Sequence, residues 1–269
     1  MKKIIVCFLA SLLLAGQVLA QEYPRIDEIR DFLNGDSDLW PTFEQCASEF
    51  VDCALAAGQV SLDNRAYDDA ERYFLQALEQ GNHTAVLALV MLNVERHTPI
   101  ETFAWSQLAL AVITTQDSAN ETDWRSSWPF YELSRVARNF SDSEWEKGNE
   151  RGQELVAKWL PVLEANDPFG GYTEANRDCP LPDLDSIERK PPRYPGAMAI
   201  NRIPGWAYVI FIADRDGKVT DPISLMSSHR SFARSSVHAI EKWQLSSLRG
   251  SPECKVRRYS QAFYFSLQK

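Results

Sequence analysis

The sequence predicts an α+β fold, in which an N-terminal all-α helical-repeat domain precedes a small three-stranded sheet with packed helices. Three observations lead to this prediction. Apolar residues recur on a helical period through most of residues 25–166. A stretch rich in glycine and proline follows, and from residue 205 the apolar residues alternate on a period of two. The elements after that stretch are strand, strand, helix and strand, so the sheet is antiparallel or mixed.

Composition and charge indicate two globular domains. The 269 residues are 45% hydrophobic and 11% aromatic, which is enough for real cores and excludes wholesale disorder. The net charge of −9 is unevenly spread, because residues 21–178 are acidic and residues 179–269 are basic. We therefore predict a signal peptide at 1–20, a helical domain at 21–165, a Pro/Gly-rich linker at 166–185 and a sheet domain at 186–269. The opposite charges predict that the two domains attract each other, and two independent domains on a flexible tether are the alternative.

Residues 1–20 have the pattern of a signal peptide. Lys2 and Lys3 precede an apolar run, and the run closes on the small-residue ending Val18-Leu19-Ala20. The alternative is an inner-membrane anchor through residues 4–20 that faces the periplasm. A helix over those residues would be about 26 Å long, which is shorter than the ~30 Å hydrocarbon core. We therefore predict a periplasmic protein, associated with membranes only through partners or through an uncleaved N-terminal segment.

A helical repeat is suggested by small residues at matching positions in the first domain. A shift of ~34 residues, the tetratricopeptide period, superimposes one small-large-small pattern on another. The two sets are Ala70, Phe74 and Ala77, and Ala104, Leu108 and Ala111. With Gly58 as the small residue of the preceding helix, the segment resembles tetratricopeptide repeats. Sel1-type repeats fit almost as well, and an ordinary helical bundle is the alternative. Further on, Ser141 and Glu144 predict a capping box, and Pro161 predicts a helix kink or end near Trp159.

Four cysteines follow the signal peptide, which allows two disulfides in an exported chain. In one straight helix Cys46 and Cys53 would lie about 10.5 Å apart, beyond the ~7 Å Cα limit for a disulfide. The repeat alignment, however, starts a new helix near Val51, so we predict a break and a Cys46–Cys53 bridge. Cys179 and Cys254, at the entry to the sheet domain and before its last strand, form the second predicted pair.

Strands are predicted at 206–213, 218–226 and 256–267, with a helix between the last two. A crossover helix returns the last strand beside the first and parallel to the second, so the first strand is central. Pro222 agrees with this order, because proline removes a ladder donor and belongs on an edge strand.

Eight positions of the C-terminal segment form an ordered motif: Tyr194, Pro195, Ala197, Gly205, Asp216, Gly217, Val219 and Trp243. With this motif the segment resembles the C-terminal domain of the TonB family over about residues 186–269. The resemblance implies a domain that docks on outer-membrane receptors and captures an extended receptor segment beside its last strand. The apolar run at 4–20 contains no histidine and the linker is short. We therefore do not expect energy transduction as in TonB itself.

The predicted binding site is the outer edge of the last strand, where a peptide adds as a further strand. Its residues are Val256, Arg257, Arg258, Tyr259, Ser260, Gln261, Ala262, Phe263 and Tyr264. The two arginines favour an acidic residue in the peptide. The alternative is that the linker, or a second copy of the chain in a homodimer, pairs with this edge and covers it.

The predicted function is therefore that of a periplasmic TonB-like protein, linked to TonB-dependent outer-membrane transport and bound to a protein or peptide partner such as a receptor. The alternative is a periplasmic helical-repeat adaptor or scaffold with no role in energy transduction. No catalytic motif occurs, and the four histidines lack metal spacing. We expect no enzyme activity, no cofactor, no metal and no nucleic acid.

Cleavage after Ala20 is testable by intact-mass measurement. Protein recovered from the periplasm is expected to have the mass of a chain that begins at Gln21, because the apolar run is short and ends in Val-x-Ala. A mass that retains residues 1–20 would instead support the membrane-anchored alternative.

Overall fold

The computed structural model describes residues 24–116, 127–165, 189–214, 216–245 and 257–266, with the backbone alone at Thr115, Gln116, Arg257 and Arg258. The helices are α1 (Ile26–Leu33), a 3-10 turn (Ser37–Leu39), α2 (Trp40–Cys46), α3 (Val51–Asp63), α4 (Tyr67–Glu79), α5 (His83–Glu95), α6 (Pro99–Gln116), α7 (Trp128–Ala137), α8 (Asp142–Glu164), α9 (Gly196–Ile200) and α10 (Arg230–Ile240). The strands are β1 (Gly205–Ala213), β2 (Val219–Ser227) and β3 (Arg257–Phe265). The α+β class is confirmed. We call α1–α8 the helical part, and residues 189–266 the sheet part.

The turns that follow α3, α4 and α5 share one geometry. In each, a residue with positive φ stands second after the helix: Arg65 at 60°, Gly81 at 81° and His97 at 58°. Each of these residues donates its N–H to the carbonyl three positions earlier in the chain. The residue that follows it donates to the carbonyl five positions before itself. This is the Schellman motif, which satisfies carbonyls that the helix end leaves open. Repetition of the motif joins helices of 13 residues into a regular array.

Small residues let α3 and α4 approach closely. A Cβ at Gly58 would overlap the ring of Phe74, so glycine is required there. Ala70, Phe74 and Ala77 are all fully buried, as the helical pattern predicts. Ala104 and Leu108 are also buried, whereas Ala111 is partly exposed. The helical face is confirmed, and its assignment to a tetratricopeptide or Sel1-type repeat stays a prediction.

The break between α2 and α3 brings two cysteines together. Helix α2 ends at Cys46 and α3 begins at Val51. The Cα atoms of Cys46 and Cys53 are therefore 5.8 Å apart, and the two sulfurs form a disulfide. The predicted Cys46–Cys53 bridge is confirmed. Cys179, Cys254 and the signal peptide lie outside the described residues.

Helix α8 begins at the predicted capping box. It extends past Trp159, where one of the two predicted outcomes placed its end. The Ser141 hydroxyl accepts from the Glu144 N–H, and the Glu144 carboxylate accepts from the Ser141 N–H, which is a capping box. An end near Trp159 is wrong, because the helix continues through Pro161 to Glu164. Pro161 has no N–H to donate to the Ala157 carbonyl, so the last turn of α8 forms without that bond.

The sheet has the order β2-β1-β3, and β1 is antiparallel to both neighbours. The predicted central position of the first strand and the edge position of Pro222 are confirmed. The described strands form an antiparallel sheet, which decides between the two predicted alternatives. The pairing of β1 with β3 is continuous from Gly205↔Phe265 to Ala213↔Arg257.

The pairing of β1 with β2 is interrupted at two places. Asp221 and Pro222 together oppose Phe211, and Asp221 has a positive φ of 51°. Leu225 is an extra residue between the partners of Val209 and Tyr208. Such bulges bend and twist an edge strand. The second bulge also lets Leu225 and Met226 both enter the same core.

The central strand is covered on both faces. Ala207, Val209 and Phe211 pack toward α10 and the residues after it, including Ile240 and Trp243. On the other face Trp206, Tyr208 and Ile210 join a core that continues into the helical part. Among the described residues, the ion pair that crosses between the two parts is Arg30–Asp221, at 3.2 Å. Apolar packing therefore forms most of the described contact, and the charge attraction expected from composition stays a prediction.

The repeated turns predict opposite effects of two substitutions. Gly81→Ala places a Cβ at φ 81°, and we expect unfolding free energy to fall by ~1–2 kcal/mol. His97→Gly relieves a non-glycine residue at φ 58°, and we expect a gain of about 0.5–1 kcal/mol. Urea unfolding followed by circular dichroism measures both. A neutral Gly81→Ala would contradict the turn geometry.

Candidate functional site

The predicted site lies on the outer strand of the sheet. Strand β3 spans nine residues, Arg257–Phe265, and pairs along one side with β1. No strand among the described residues lies on its other side. We call that side the outer edge of β3. Val256 of the predicted site lies outside the described residues, as do the side chains of Arg257 and Arg258.

Two hydrogen bonds establish which backbone groups of β3 point outward. Ser228 donates its N–H to the Trp206 carbonyl, and Asp214 donates to the Lys218 carbonyl, so even-numbered residues of β1 face β2. Backbone groups alternate along a strand, so odd-numbered residues of β1 face β3. The register pairs Val209 with Gln261 and Tyr208 with Ala262. The Gln261 N–H and C=O therefore point toward β1, whereas those of Ser260 and Ala262 point to the outer edge.

Aromatic side chains fix the face of β3 that lies on the α10 side. Tyr259 stacks on Phe211 with ring centroids 5.5 Å apart. Phe263 meets the edge of Trp243 at 5.7 Å, and Phe265 packs on Phe232 of α10 at 4.7 Å. These contacts fix the strand against β1 and leave its outer edge in a defined position.

The opposite face of β3 is more open. Ser260 is partly buried, and Ala262 packs partly buried against the core shared with the helical part. Tyr264, which is opposite Trp206 in the register, is 54% exposed. A strand added at the outer edge would therefore meet a small residue, Ala262, beside an exposed aromatic ring.

Gln261 contributes a contact that the sequence did not indicate. Its side-chain amide donates to the carbonyl of Ala262, and the Nε2 and O atoms are 2.6 Å apart. That carbonyl is one of the groups directed to the outer edge. A side chain on β3 thus hydrogen-bonds with the edge that a partner strand would use.

The residues of the family motif before β1 have identifiable structural roles. The Tyr194 hydroxyl donates to the Ile203 carbonyl at 2.8 Å, and its ring packs edge-on against Phe265. Pro195 precedes α9, which contains Ala197. A Cβ at Gly205 would overlap the ring of Phe232, so glycine is needed for close approach of β1 and α10.

The later motif residues shape the hairpin and anchor the end of α10. Asp214 accepts from the N–H groups of Asp216 and Lys218, and Gly217 has a φ of 78°. Val219 then begins β2 opposite Ala213. The indole N–H of Trp243 donates to the Lys190 carbonyl at 3.0 Å. Tyr194, Gly205, Gly217 and Trp243 therefore have contacts or backbone geometry that support the sheet, and the binding edge is a separate set of residues.

A buried polar contact joins the two parts of the molecule. The Tyr208 hydroxyl donates to Oδ1 of Asp52 on α3, at 3.3 Å, and both residues are buried. Burial, followed by the nearby Asp52 carboxylate, raises the pKa of Tyr208 well above its ordinary value. The hydroxyl therefore stays protonated as a donor. A single aspartate within the apolar run of α3 was the only sequence signal for this contact.

Searches of protein-family models, of curated proteins and of solved structures found no match to this chain. Within the described residues, no helix has the length and apolar character needed to cross a bilayer. The same part of the chain contains no cluster of His, Cys, Asp and Glu able to hold a metal ion.

Removal of the Tyr208 hydroxyl tests the contact between the two parts. Tyr208→Phe leaves Asp52 buried without this donor, and we expect unfolding free energy at neutral pH to fall by about 1–3 kcal/mol. Because the pKa of Tyr208 is raised on folding, its contribution is complete below pH ~10 and is lost as pH rises further.

The measurement is urea unfolding of both proteins at neutral and strongly alkaline pH. The difference in stability between wild type and Tyr208→Phe is expected to shrink above pH ~10. A difference that is the same at both pH values would show that the hydroxyl does not act in this way. Tyr264→Phe, at an exposed ring, is the matched control and should change little.

Proposed function

We propose that this protein is a periplasmic, TonB-like binding protein that captures an extended segment of a partner by strand addition at the outer edge of β3. The partner class is a protein of TonB-dependent outer-membrane transport, such as a receptor. The observation that carries the proposal is a nine-residue strand at the sheet edge with outward backbone groups at Ser260 and Ala262. Main-chain bonds to such an edge give affinity, and alternate side chains give selectivity.

The other edge of the sheet is a poorer template, which supports the choice of β3. On β2, Pro222 has no N–H to donate, and the two bulges interrupt the regular spacing of the backbone groups. On β3 the register with β1 is continuous over all nine residues. A partner strand is therefore better accommodated beside β3 than beside β2.

The faces of β3 indicate what a captured segment would contact. The residue of the captured segment that lies opposite Ala262 would exchange both main-chain bonds with Ala262. Its side chain would lie on the same face of the sheet as Tyr264. The next residues would lie on the α10 side, near Phe263. Since residues 259–264 of β3 are uncharged, the segment is expected to place apolar or small polar side chains beside them.

Ala262→Pro is the experiment that tests strand addition. The substitution removes an outward N–H and leaves the bonds to β1 intact, because Gln261 and Phe263 make them. We expect binding of synthetic peptides copied from the periplasmic ends of TonB-dependent receptors to fall at least about tenfold. Fluorescence anisotropy of labelled peptides with the full mature chain measures this.

Two further variants make the result specific. Ala262→Ser keeps the N–H and a small side chain, so it should bind as the wild type does. Gln261→Pro removes an inward donor and should destabilise the sheet instead of acting on binding alone. Undiminished binding by folded Ala262→Pro would overturn the proposal and place the partner elsewhere. Attachment to the helical part would then favour the adaptor function.

A further inference from the structure

The two edges of the sheet differ in how they are protected from pairing. An edge strand presents a row of backbone groups that can pair with another chain, and proteins prevent this with proline, bulges or charge. Strand β2 has two such devices, since Pro222 lacks a donor and Asp221, at φ 51°, belongs to a bulge. The described structure therefore closes the β2 edge by backbone geometry.

Strand β3 has neither of these devices. No proline occurs in Arg257–Phe265, and the one-to-one register with β1 shows that no bulge interrupts it. The middle of the strand, Tyr259–Tyr264, contains no charged residue. Such a strand is a good template for association with another chain.

Gln261 is the described side chain that acts on this edge. Its backbone faces β1, yet its amide turns to the carbonyl of Ala262, at 2.6 Å, which is directed outward. A carbonyl oxygen has two lone pairs, and the amide takes one of them at an oxygen that a neighbouring strand would also use. The adjacent position of the two residues makes this a local contact that forms whenever β3 is in place.

We propose that Gln261 guards the outer edge of β3 and that its amide prevents antiparallel pairing of β3 with β3 of a second copy of this chain. A second copy is the specific competitor, because closed dimers are commonly two-fold symmetric and two-fold pairing would bring the same outward carbonyl of each copy into use. The Gln261–Ala262 hydrogen bond of both copies would then have to break for one dimer to form. A strand from another protein has to break only one such bond, so the contact disfavours pairing with a second copy more than pairing with that strand.

Gln261→Leu tests the guard without any partner. Leucine has a similar size and no amide, so both lone pairs of the Ala262 carbonyl become available to a neighbouring strand. With about fivefold for each guard lost, dimerisation of the full mature chain should become about 25-fold tighter. Sedimentation velocity over a concentration series measures the dimer fraction. No change in self-association relative to wild type would overturn the proposal.

A second substitution separates pairing along the strand edge from non-specific association through the apolar leucine side chain. In the double variant Gln261→Leu with Ala262→Pro, the outward N–H of residue 262 is gone, so pairing along β3 should be lost and the monomer restored. Persistent dimers in the double variant would show that leucine acts through its apolar surface and would contradict the guard. Gln261→Lys, which restores a donor on a long side chain, should remain monomeric, and dimerisation by it would also count against the proposal.

This inference does not rest on the proposed function. Self-association of Gln261→Leu decides whether Gln261 guards the edge, whereas peptide binding by Ala262→Pro decides whether the edge captures a partner. If both proposals hold, Gln261→Leu should also bind the receptor peptides about fivefold more tightly at concentrations where it is monomeric.

Discussion

Burial of the central strand on both faces is the constraint on which the rest of the sheet part depends. Almost every residue of β1 is buried, although its side chains alternate between two faces. One short helix covers one face and cannot cover the other. The second face therefore needs the helical part, and Trp206, Tyr208 and Ile210 complete the core of that part. The helices consequently act as half of the enclosure of the sheet and not as a separate body on a tether.

This arrangement assigns different tasks to the three strands. With β1 enclosed and β2 bulged against the helical part, the straight edge of β3 is the remaining regular template among the described strands. The Tyr208 hydroxyl also donates to Asp52 of α3, so a buried polar contact lies within the apolar core that joins the two parts. Ser260 and Ala262 of β3 pair with Ile210 and Tyr208, so the candidate edge lies one strand away from this contact.

Features with a strong local pattern were predictable from the sequence, and those that depend on long-range pairing were not. Period-two alternation indicated all three strands, and Pro222 indicated the edge. The Cys46–Cys53 bridge followed from a helix break that the repeat pattern placed near Val51. By contrast, the bulge at Leu225 depends on which residue of β1 it faces, and the Tyr208–Asp52 bond joins residues 156 positions apart. Gln261 was included in the predicted edge, but the outward direction of the Ala262 carbonyl, to which its amide donates, depends on a register that only the paired strands define.

The strength of the Gln261 contact is itself an argument about how the edge is used. A strand that must never pair is protected by proline or by charge, which a partner cannot displace cheaply. A neutral side-chain hydrogen bond contributes only about 0.5–1.5 kcal/mol. Several main-chain bonds and the burial of Tyr264 would together exceed that cost for a well-matched strand, but a poorly matched one would gain too little. The chain has proline and bulges on β2, whereas β3 has two arginines at its start and only this weak contact at its middle. That difference is expected of an edge that stays unpaired in the absence of a partner and pairs only with a strand of the right length and register.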